Sequence, residues 1–167
     1  MGIKEYEQTL TNPLKEATVL LLLRDEQVLL AMKKRGFGVG KWNGVGGKPN
    51  LGEVITETAI RESKEEIGVT PVDPDRVAVF KYHFPHDNFG MQVWIFTTNK
   101  WQGEPSESEE MKPQWFNLKD IPYDQMWSDD KVWMPKVLEG KRLTGSFMFD
   151  KDGNIMDYYM DEVDSVE

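Results

Sequence analysis

The sequence predicts an α/β domain in which helices cover a sheet of mixed strands, and three observations support this class. Short β-rich runs alternate with turn signals, two segments have helix patterns, and 39% of the 167 residues are hydrophobic, which is enough for one substantial core. No internal repeat, low-complexity tract or second domain is evident. We therefore expect a flexible N-terminal arm over residues 1–15, a single domain over residues 16–163 and an acidic tail over residues 164–167.

The first elements after the arm are a hairpin and a glycine-rich loop. Two apolar runs, residues 18–23 and 28–32, flank the polar residues 24–27, as expected of a β-hairpin. Residues 35–52 contain seven glycines and Pro49, so this stretch should be a long ordered loop or a strand interrupted by glycines. Loops of this length in compact domains usually have a function.

Residues 54–67 are the best helix candidate in the chain. Gly68 follows as a natural C-cap. The one polar residue on the inward face, Ser63, should bond through its hydroxyl to a helix carbonyl. The inward face consists of Ile55, Ala59, Ser63 and Ile67.

The second half of the chain contains strands and one further helix. The helix should begin at residues 128–130 and end near residue 140, and residues 150–153 have the composition of a hairpin turn. Strands are expected at residues 77–84, 91–97, 114–118, 144–149 and 155–160.

Composition excludes several classes of function. The net charge of −9 argues against a nucleic-acid polymer as partner, because such partners are usually bound by a basic surface. The absence of Cys excludes disulfides, thiolate zinc sites and cysteine nucleophiles. The apolar run at residues 19–23 is far too short to span a bilayer, and no targeting signal stands out. We expect a cytoplasmic protein, monomeric and without a membrane partner.

Three glutamates on the predicted first helix point to a metal site. Glu62, Glu65 and Glu66 have the spacing i, i+3 and i+4, which stacks their carboxylates on one face. Like charges at this spacing destabilise a helix by about 0.2–0.5 kcal/mol per pair, so a cation is expected nearby. Carboxylate oxygens suit a hard divalent cation such as Mg²⁺ or Mn²⁺. The alternative is an ordinary solvated helix face.

The segment that contains these glutamates resembles the signature of the Nudix hydrolases. It follows the pattern G-x5-E-x7-R-E-U-x-E-E-x-G-U, where U is a bulky aliphatic residue, except that Ser63 occupies a U position. The resemblance implies an α/β/α sandwich with a central mixed sheet that hydrolyses nucleoside diphosphates linked to another group. The matching residues are Gly47, Glu53, Arg61, Glu62, Glu65, Glu66, Gly68 and Val69.

The resemblance also implies roles within this segment. Glu53 would be an outer metal ligand or a base for the attacking water, and Arg61 would orient Glu53 or Glu65. Glu110 would approach the metal from outside the helix, although it could equally belong to a solvated acidic loop. The implied metal ligands are the Gly46 carbonyl and the carboxylates of Glu62, Glu65, Glu66 and Glu110.

Residues 16–163 further resemble the MutT-like branch of this family, which acts on oxidised purine nucleoside triphosphates such as 8-oxo-dGTP. The resemblance is carried by residues 32–38, 41–44, 110–116 and 127–130. It implies base-edge contacts from Asn43, Asp129 and Asp130, stacking by Trp127, and a pocket completed by Thr18, Lys33, Phe37, Tyr82, Met111 and Trp133. Tyr82 stands where the branch has Phe, so its hydroxyl could shift the base preference.

Each pocket residue also has a structural interpretation. Asp129 and Asp130 could serve as helix N-cap acids, the two tryptophans as core residues, Asn43 as a turn residue and Lys33 as a solvated charge. If the two aspartates do face one base, they cannot both ionise comfortably, and one proton would be shared between them.

Other functions remain open from the sequence. The chain could be a Nudix hydrolase of another nucleotide, such as a dinucleoside polyphosphate or ADP-ribose, or a non-catalytic nucleotide-binding module. An isomerase on the same fold is disfavoured, because such enzymes generally rely on a cysteine and this chain has none.

Overall fold

An eight-stranded mixed sheet lies at the centre of the computed structural model, which describes residues 1–167. No helix is long and apolar enough to cross a membrane. The elements are α1 (Ile3–Gln8), β1 (Lys15–Arg24), β2 (Gln27–Lys33), β3 (Trp42–Asn43), α2 (Ile55–Ile67), β4 (Thr70–Pro71), β5 (Asp75–Phe84), β6 (Phe89–Thr98), β7 (Trp101–Gln102), β8 (Met111–Asn117), α3 (Asp130–Leu138), β9 (Arg142–Phe149) and β10 (Ile155–Val163), with 3₁₀ turns at Pro85–Asp87 and Tyr123–Gln125.

The strand order of the sheet is β10-β9-β5-β6-β1-β2-β3, and β8 also pairs with β2. The pairs β1·β6 and β5·β9 are parallel, whereas the other pairs in this sheet are antiparallel. Strands β4 and β7 form a separate two-stranded sheet. The two parallel pairs place strands that are distant in sequence at the middle of the sheet, beside the site described below.

The helices cover both faces of the sheet. Successive side chains of β1 point to opposite faces, because a strand has a period of two residues. Leu21 packs in the cluster that contains Trp133 of α3, whereas Leu20 and Leu22 pack in the cluster that contains Ile67 of α2. This layering confirms the predicted α/β class with helices on a mixed sheet.

Most predicted elements are present. The first hairpin, the helix α2, the strands β5 and β6, the helix α3 and the last hairpin lie where the sequence pattern placed them. The stretch 35–52 is mainly loop, with Trp42–Asn43 as its only strand. Strand β8 begins at Met111, three residues before the expected start. Gly68 ends α2 in the left-handed conformation, with φ of 76°.

The helix α1 was not expected, and it lies within the segment predicted to be a flexible arm. It is docked on the sheet, with the side chain of Ile3 only 3% exposed. A helix of six residues has no marked amphipathic period and is not stable alone in water, so its existence depends on tertiary contacts that the local sequence does not reveal.

Ser63 behaves as expected from its position on α2. Its side chain is fully buried, and its hydroxyl donates a hydrogen bond to the Ala59 carbonyl at 2.8 Å. Ser63→Ala should raise the free energy of unfolding by about 0.5 kcal/mol, because Ala has the higher helix propensity and the carbonyl keeps its helical partner. Urea denaturation measures the difference. A loss of more than about 1 kcal/mol would contradict this interpretation and show that the hydroxyl is needed.

Candidate active site

A tight loop brings the backbone of Gly46 and Gly47 against β1. The Thr18 N–H donates to the Gly47 carbonyl at 2.9 Å, and Val45 pairs with Leu20 in an isolated antiparallel bridge. A side chain at Gly46 would overlap the backbone carbonyl of Thr18. Glycine is therefore required here for the loop to approach the strand.

Glu66 of α2 is bound to this loop. Its side chain is 8% exposed, and its Oε1 accepts a hydrogen bond from the Gly46 N–H at 2.9 Å. Burial raises the pKa of Glu66 to about 7, although the Gly46 N–H opposes the shift, and the negative charges of Glu62 and Glu110 raise the pKa further. A buried carboxylate among like charges is a position that a cation would stabilise.

Glu62 lies directly against Gly47. A Cβ atom built on Gly47 would sit 2.7 Å from each carboxylate oxygen of Glu62. Burial raises the pKa of Glu62, while Arg61 acts in the opposite direction. The absence of a side chain at Gly47 therefore lets the Glu62 carboxylate lie beside the loop.

This contact yields a prediction. We expect Gly47→Ala to lower kcat by about 10- to 100-fold, because the Glu62 carboxylate, which we predict to bind metal, must move and a displacement of about 1 Å can cost that much. The melting temperature should change little, because the end of a flexible side chain can swing away. Steady-state kinetics and thermal unfolding measure the two effects. An unchanged kcat would show that the position of Glu62 does not matter for turnover.

Arg61 joins three glutamates. Its Nε and Nη2 donate to the two oxygens of Glu53 at 2.8 and 3.0 Å, and its Nη1 donates to Glu62 at 2.9 Å and to Glu65 at 3.1 Å. The hydrogen bonds from Arg61 lower the pKa of Glu53 to about 2, with help from Thr58. Glu53 is therefore ionised and held in one orientation.

The donor set fits a divalent cation by its chemistry. Carboxylate oxygens and a backbone carbonyl are the ligands that hard cations prefer, and Glu66 is a buried acid with two acidic neighbours. In this structure Glu62 and Glu65 both form ion pairs with Arg61, and Glu110 is paired with Arg35 at 2.7 Å. No three acidic or histidine side chains are arranged to hold a metal ion.

A cavity beside this loop brings together all the residues predicted to bind substrate. Gly46 and Gly47 form part of its wall, so the cavity adjoins the glutamates of α2. The predicted residues in its lining are Thr18, Lys33, Phe37, Asn43, Tyr82, Met111, Trp127, Asp129, Asp130 and Trp133.

The lining also contains apolar residues that the sequence reasoning missed. Strand alternation could have found several of them, because residues two apart in a strand face the same side. Phe84 lies two residues after Tyr82 on β5, for example. The additional side chains are those of Ala17, Val19, Phe84, Met91, Val93, Met134 and Phe149.

Two buried aspartates form part of the cavity wall. Asp129 and Asp130 are each 3% exposed. The Oδ2 of Asp129 accepts hydrogen bonds from the Tyr82 hydroxyl and from Nε1 of Trp133, both at 2.8 Å. The Oδ2 of Asp130 is buried without a hydrogen-bond partner. The two carboxyl groups therefore have very different surroundings, although they are adjacent in the chain.

These surroundings separate the protonation states of the pair. Burial raises the pKa of both aspartates, and the negative charge of Asp129 raises that of Asp130 further. The hydrogen bonds from Tyr82 and Trp133 favour the charged form of Asp129. A proton shared by the pair is therefore favoured on Asp130, which could then donate a hydrogen bond, while Asp129 could accept one.

The start of α3 is not capped by these side chains. Asp129 occupies the N-cap position but makes no capping hydrogen bond, and the Ser128 hydroxyl donates instead to the Gly153 carbonyl at 3.0 Å. The structure thus lacks the capping hydrogen bond of the structural interpretation, although Asp130 does lie as an acid in the first turn of α3.

The two tryptophans of the cavity differ in setting. Trp127 is half-buried, with Phe37 stacked on it at a centroid distance of 5.2 Å and the Lys41 Nζ over its ring at 5.2 Å. Trp133 is only 1% exposed and belongs to the core. Trp127 therefore lines the cavity with Phe37 and Lys41 against its ring, whereas the N–H of Trp133 is held by Asp129.

A family model, curated relatives and a solved structure all match this chain, and the three comparisons agree with one another. A family model described as the NUDIX domain matches residues 13–137. The chain is 44% identical to proteins named oxidized purine nucleoside triphosphate hydrolase from Danio rerio and Mus musculus, over 91% and 89% of this chain and 97% and 95% of theirs. It is also similar to the crystal structure of a mutator MutT protein from Bacillus halodurans, with 30% identity, a TM-score of 0.79, and coverage of 89% of this chain and 98% of that one.

Proposed function

The chain belongs to the Nudix family, and from that premise we propose that it hydrolyses oxidised purine (deoxy)nucleoside triphosphates such as 8-oxo-dGTP to the monophosphate and pyrophosphate. Such an activity would remove damaged nucleotides from the nucleotide pool. One observation supports the proposal most directly. The same cavity is lined by the residues predicted to bind the base, Asn43, Trp127, Asp129 and Asp130, and by Gly46 and Gly47, which lie beside the α2 glutamates. The names of the two animal relatives support the same substrate class.

Enzymes of this family use a divalent metal, which we propose is Mg²⁺, with Mn²⁺ as a possible substitute. When bound, the cation would neutralise phosphate charge and supply a water of lowered pKa. The residues that would hold it are the Gly46 carbonyl, Glu62, Glu65 and Glu66, with Glu110 able to contribute only if it leaves Arg35.

Arg61 and Glu53 would have positioning roles beside the metal. Arg61 would hold Glu53 and Glu65 in place through its planar fork of donors. Glu53 is a weak candidate for the general base, because a pKa of about 2 gives it little affinity for a proton. We therefore assign Glu53 the role of an outer ligand or positioning group.

The base would be read by the two aspartates and Trp127. Asp130 would donate to an acceptor such as O6 of 8-oxoguanine, while Asp129 would accept from a neighbouring N–H of the same edge, and Asn43 would complete the set. A redistribution of the proton would let the pair read an oxidised adenine. Stacking on Trp127 would add about 1–3 kcal/mol of affinity without distinguishing the bases.

Product analysis tests the reaction. The protein is incubated with 8-oxo-dGTP and Mg²⁺, and the products are resolved by ion-exchange chromatography. We expect equal amounts of 8-oxo-dGMP and pyrophosphate, and loss of turnover when EDTA is added. Release of orthophosphate would contradict the proposal. Faster turnover of ADP-ribose or a dinucleoside polyphosphate would favour the alternative Nudix substrates. A monomeric state and a cytoplasmic location stay predictions.

A further inference from the structure

One carboxylate of the short helix α1, that of Glu7, contacts the sheet. Glu7 lies 2.7 Å from Nε2 of His83 on β5 and accepts a hydrogen bond from the Tyr159 hydroxyl of β10, also at 2.7 Å. The Ser146 hydroxyl of β9 donates to Tyr159 at 3.1 Å. A single side chain of the N-terminal segment thereby bonds directly to β5 and β10, and through Tyr159 it is linked to β9.

Other contacts hold the same helix in place. Ile3 is 3% exposed, and its N–H donates to the Asp157 carboxylate at 2.9 Å. The ring of Tyr6 packs edge-on against His83 at a centroid distance of 5.6 Å. Burial disfavours the charged form of Glu7, but hydrogen bonds from Tyr159 and His83 outweigh it and lower the pKa of Glu7. Glu7 is therefore an ionised partner of His83.

The attachment lies behind the base cavity. Tyr82 and Phe84 line the cavity, and His83 between them must face the opposite side of β5, because strand side chains alternate. Phe147 of β9 pairs with Tyr82 across the parallel ladder, and Tyr82 in turn donates to Asp129. The helix α1 and the cavity thus share the same stretch of β5 from opposite faces.

His83 depends on Glu7 for its hydrogen bonding. The ring is 1% exposed, and its Nδ1 has no partner. Loss of the Glu7 carboxylate would leave both ring nitrogens buried and unpaired, a state that folded proteins avoid by shifting the backbone or admitting water. A backbone shift or an added water at His83 would occur between Tyr82 and Phe84, the two neighbours in sequence that line the cavity.

We propose that the N-terminal helix supports the base pocket from behind, and that Glu7 is a positioning residue that acts through His83 on Tyr82. Glu7 does not touch the substrate, and the proposal rests on the proposed function for the identity of that substrate. Because the metal-binding glutamates lie on α2, away from these contacts, loss of Glu7 should weaken nucleotide binding and leave the chemical step intact.

Kinetics of full-length variants test this. Glu7→Ala should raise KM for 8-oxo-dGTP by about three- to tenfold, within the range by which residues remote from a ligand modulate its binding, with kcat changed by less than about twofold. Glu7→Gln should have a smaller effect, because it keeps one acceptor, and it serves if the alanine variant folds poorly. Glu5→Gln is the matched control, since Glu5 is exposed on the same helix. A lower melting temperature with unchanged KM would overturn the proposal.

Hydrogen exchange provides a test that needs no substrate, so it separates failure of this proposal from failure of the proposed function. In Glu7→Ala, amides of residues 82–84 should exchange faster than in Glu5→Gln, while those of α2 should not change. Faster exchange confined to residues 1–14 would show that loss of the Glu7 contact does not affect the strand that lines the pocket, and would overturn the proposal.

Discussion

Glu66→Gln is expected to remove most turnover while leaving the fold intact. The substitution deletes the charge of a carboxylate that we assign to the metal, and kcat should fall at least about 100-fold, since even the loss of groups that only support metal ligands costs about 10- to 100-fold. The glutamine carbonyl can still accept the Gly46 N–H that Glu66 binds at 2.9 Å. The variant also removes a buried acid whose pKa is raised to about 7, so its melting temperature should be unchanged or higher.

Steady-state kinetics at several Mg²⁺ concentrations, together with thermal unfolding, measure these effects. Glu57→Gln is the matched control, because Glu57 is an exposed glutamate on the same helix, and it should keep full activity. The loss in Glu66→Gln should be similar for every nucleotide the protein turns over. Full activity in this variant would rule out the assigned metal site.

Asp129→Asn is expected to alter substrate choice. The asparagine oxygen can still accept from Tyr82 and Trp133, but the amide then presents a donor where the base needs an acceptor. We expect kcat/KM for 8-oxo-dGTP to fall by at least about 100-fold, because a buried site that loses its hydrogen-bond match rejects a ligand strongly. The fold should persist, since the side chain keeps its shape.

Competing substrates reveal whether Asp129 reads the base. The ratio of kcat/KM for 8-oxo-dGTP over an oxidised adenine nucleotide should shrink in Asp129→Asn and stay constant in Glu66→Gln, because the two bases present different donors and acceptors to Asp129. Asp124→Asn, an exposed aspartate in the preceding 3₁₀ turn, is the matched control. If Asp129→Asn lowers both rates in equal proportion, the aspartate supports the structure and does not discriminate between bases.

The helix α2 could be predicted closely from the sequence because its signals are local. The inward face repeats every four residues, and Gly68 readily adopts the left-handed conformation that ends many helices. The spacing of the glutamates also places like charges on one face, which a cation would stabilise. The observed helix begins one residue later than expected and ends at the expected residue. The resemblance then supplied the predicted substrate-binding residues of the cavity, which lie on separate elements of the chain.

The remaining features depend on contacts between distant positions. Glu7 and His83 are 76 positions apart, and the short α1 exists because of that contact and the burial of Ile3. The hydrogen bond from Tyr82 to Asp129 joins positions 47 apart and favours the charged form of Asp129. The pairing of Glu110 with Arg35 is likewise a matter of spatial neighbours. Sequence periodicity reports one element at a time, so it cannot reveal such pairs.

We propose that the α2 glutamates perform the hydrolysis while a separate pocket selects an oxidised purine. The ratio of kcat/KM for 8-oxo-dGTP over dGTP, measured side by side on the wild-type protein with Mg²⁺, tests it most directly. We expect a ratio of at least about 10, which corresponds to about 1.4 kcal/mol of discrimination. Equal values for the two nucleotides would contradict the claim.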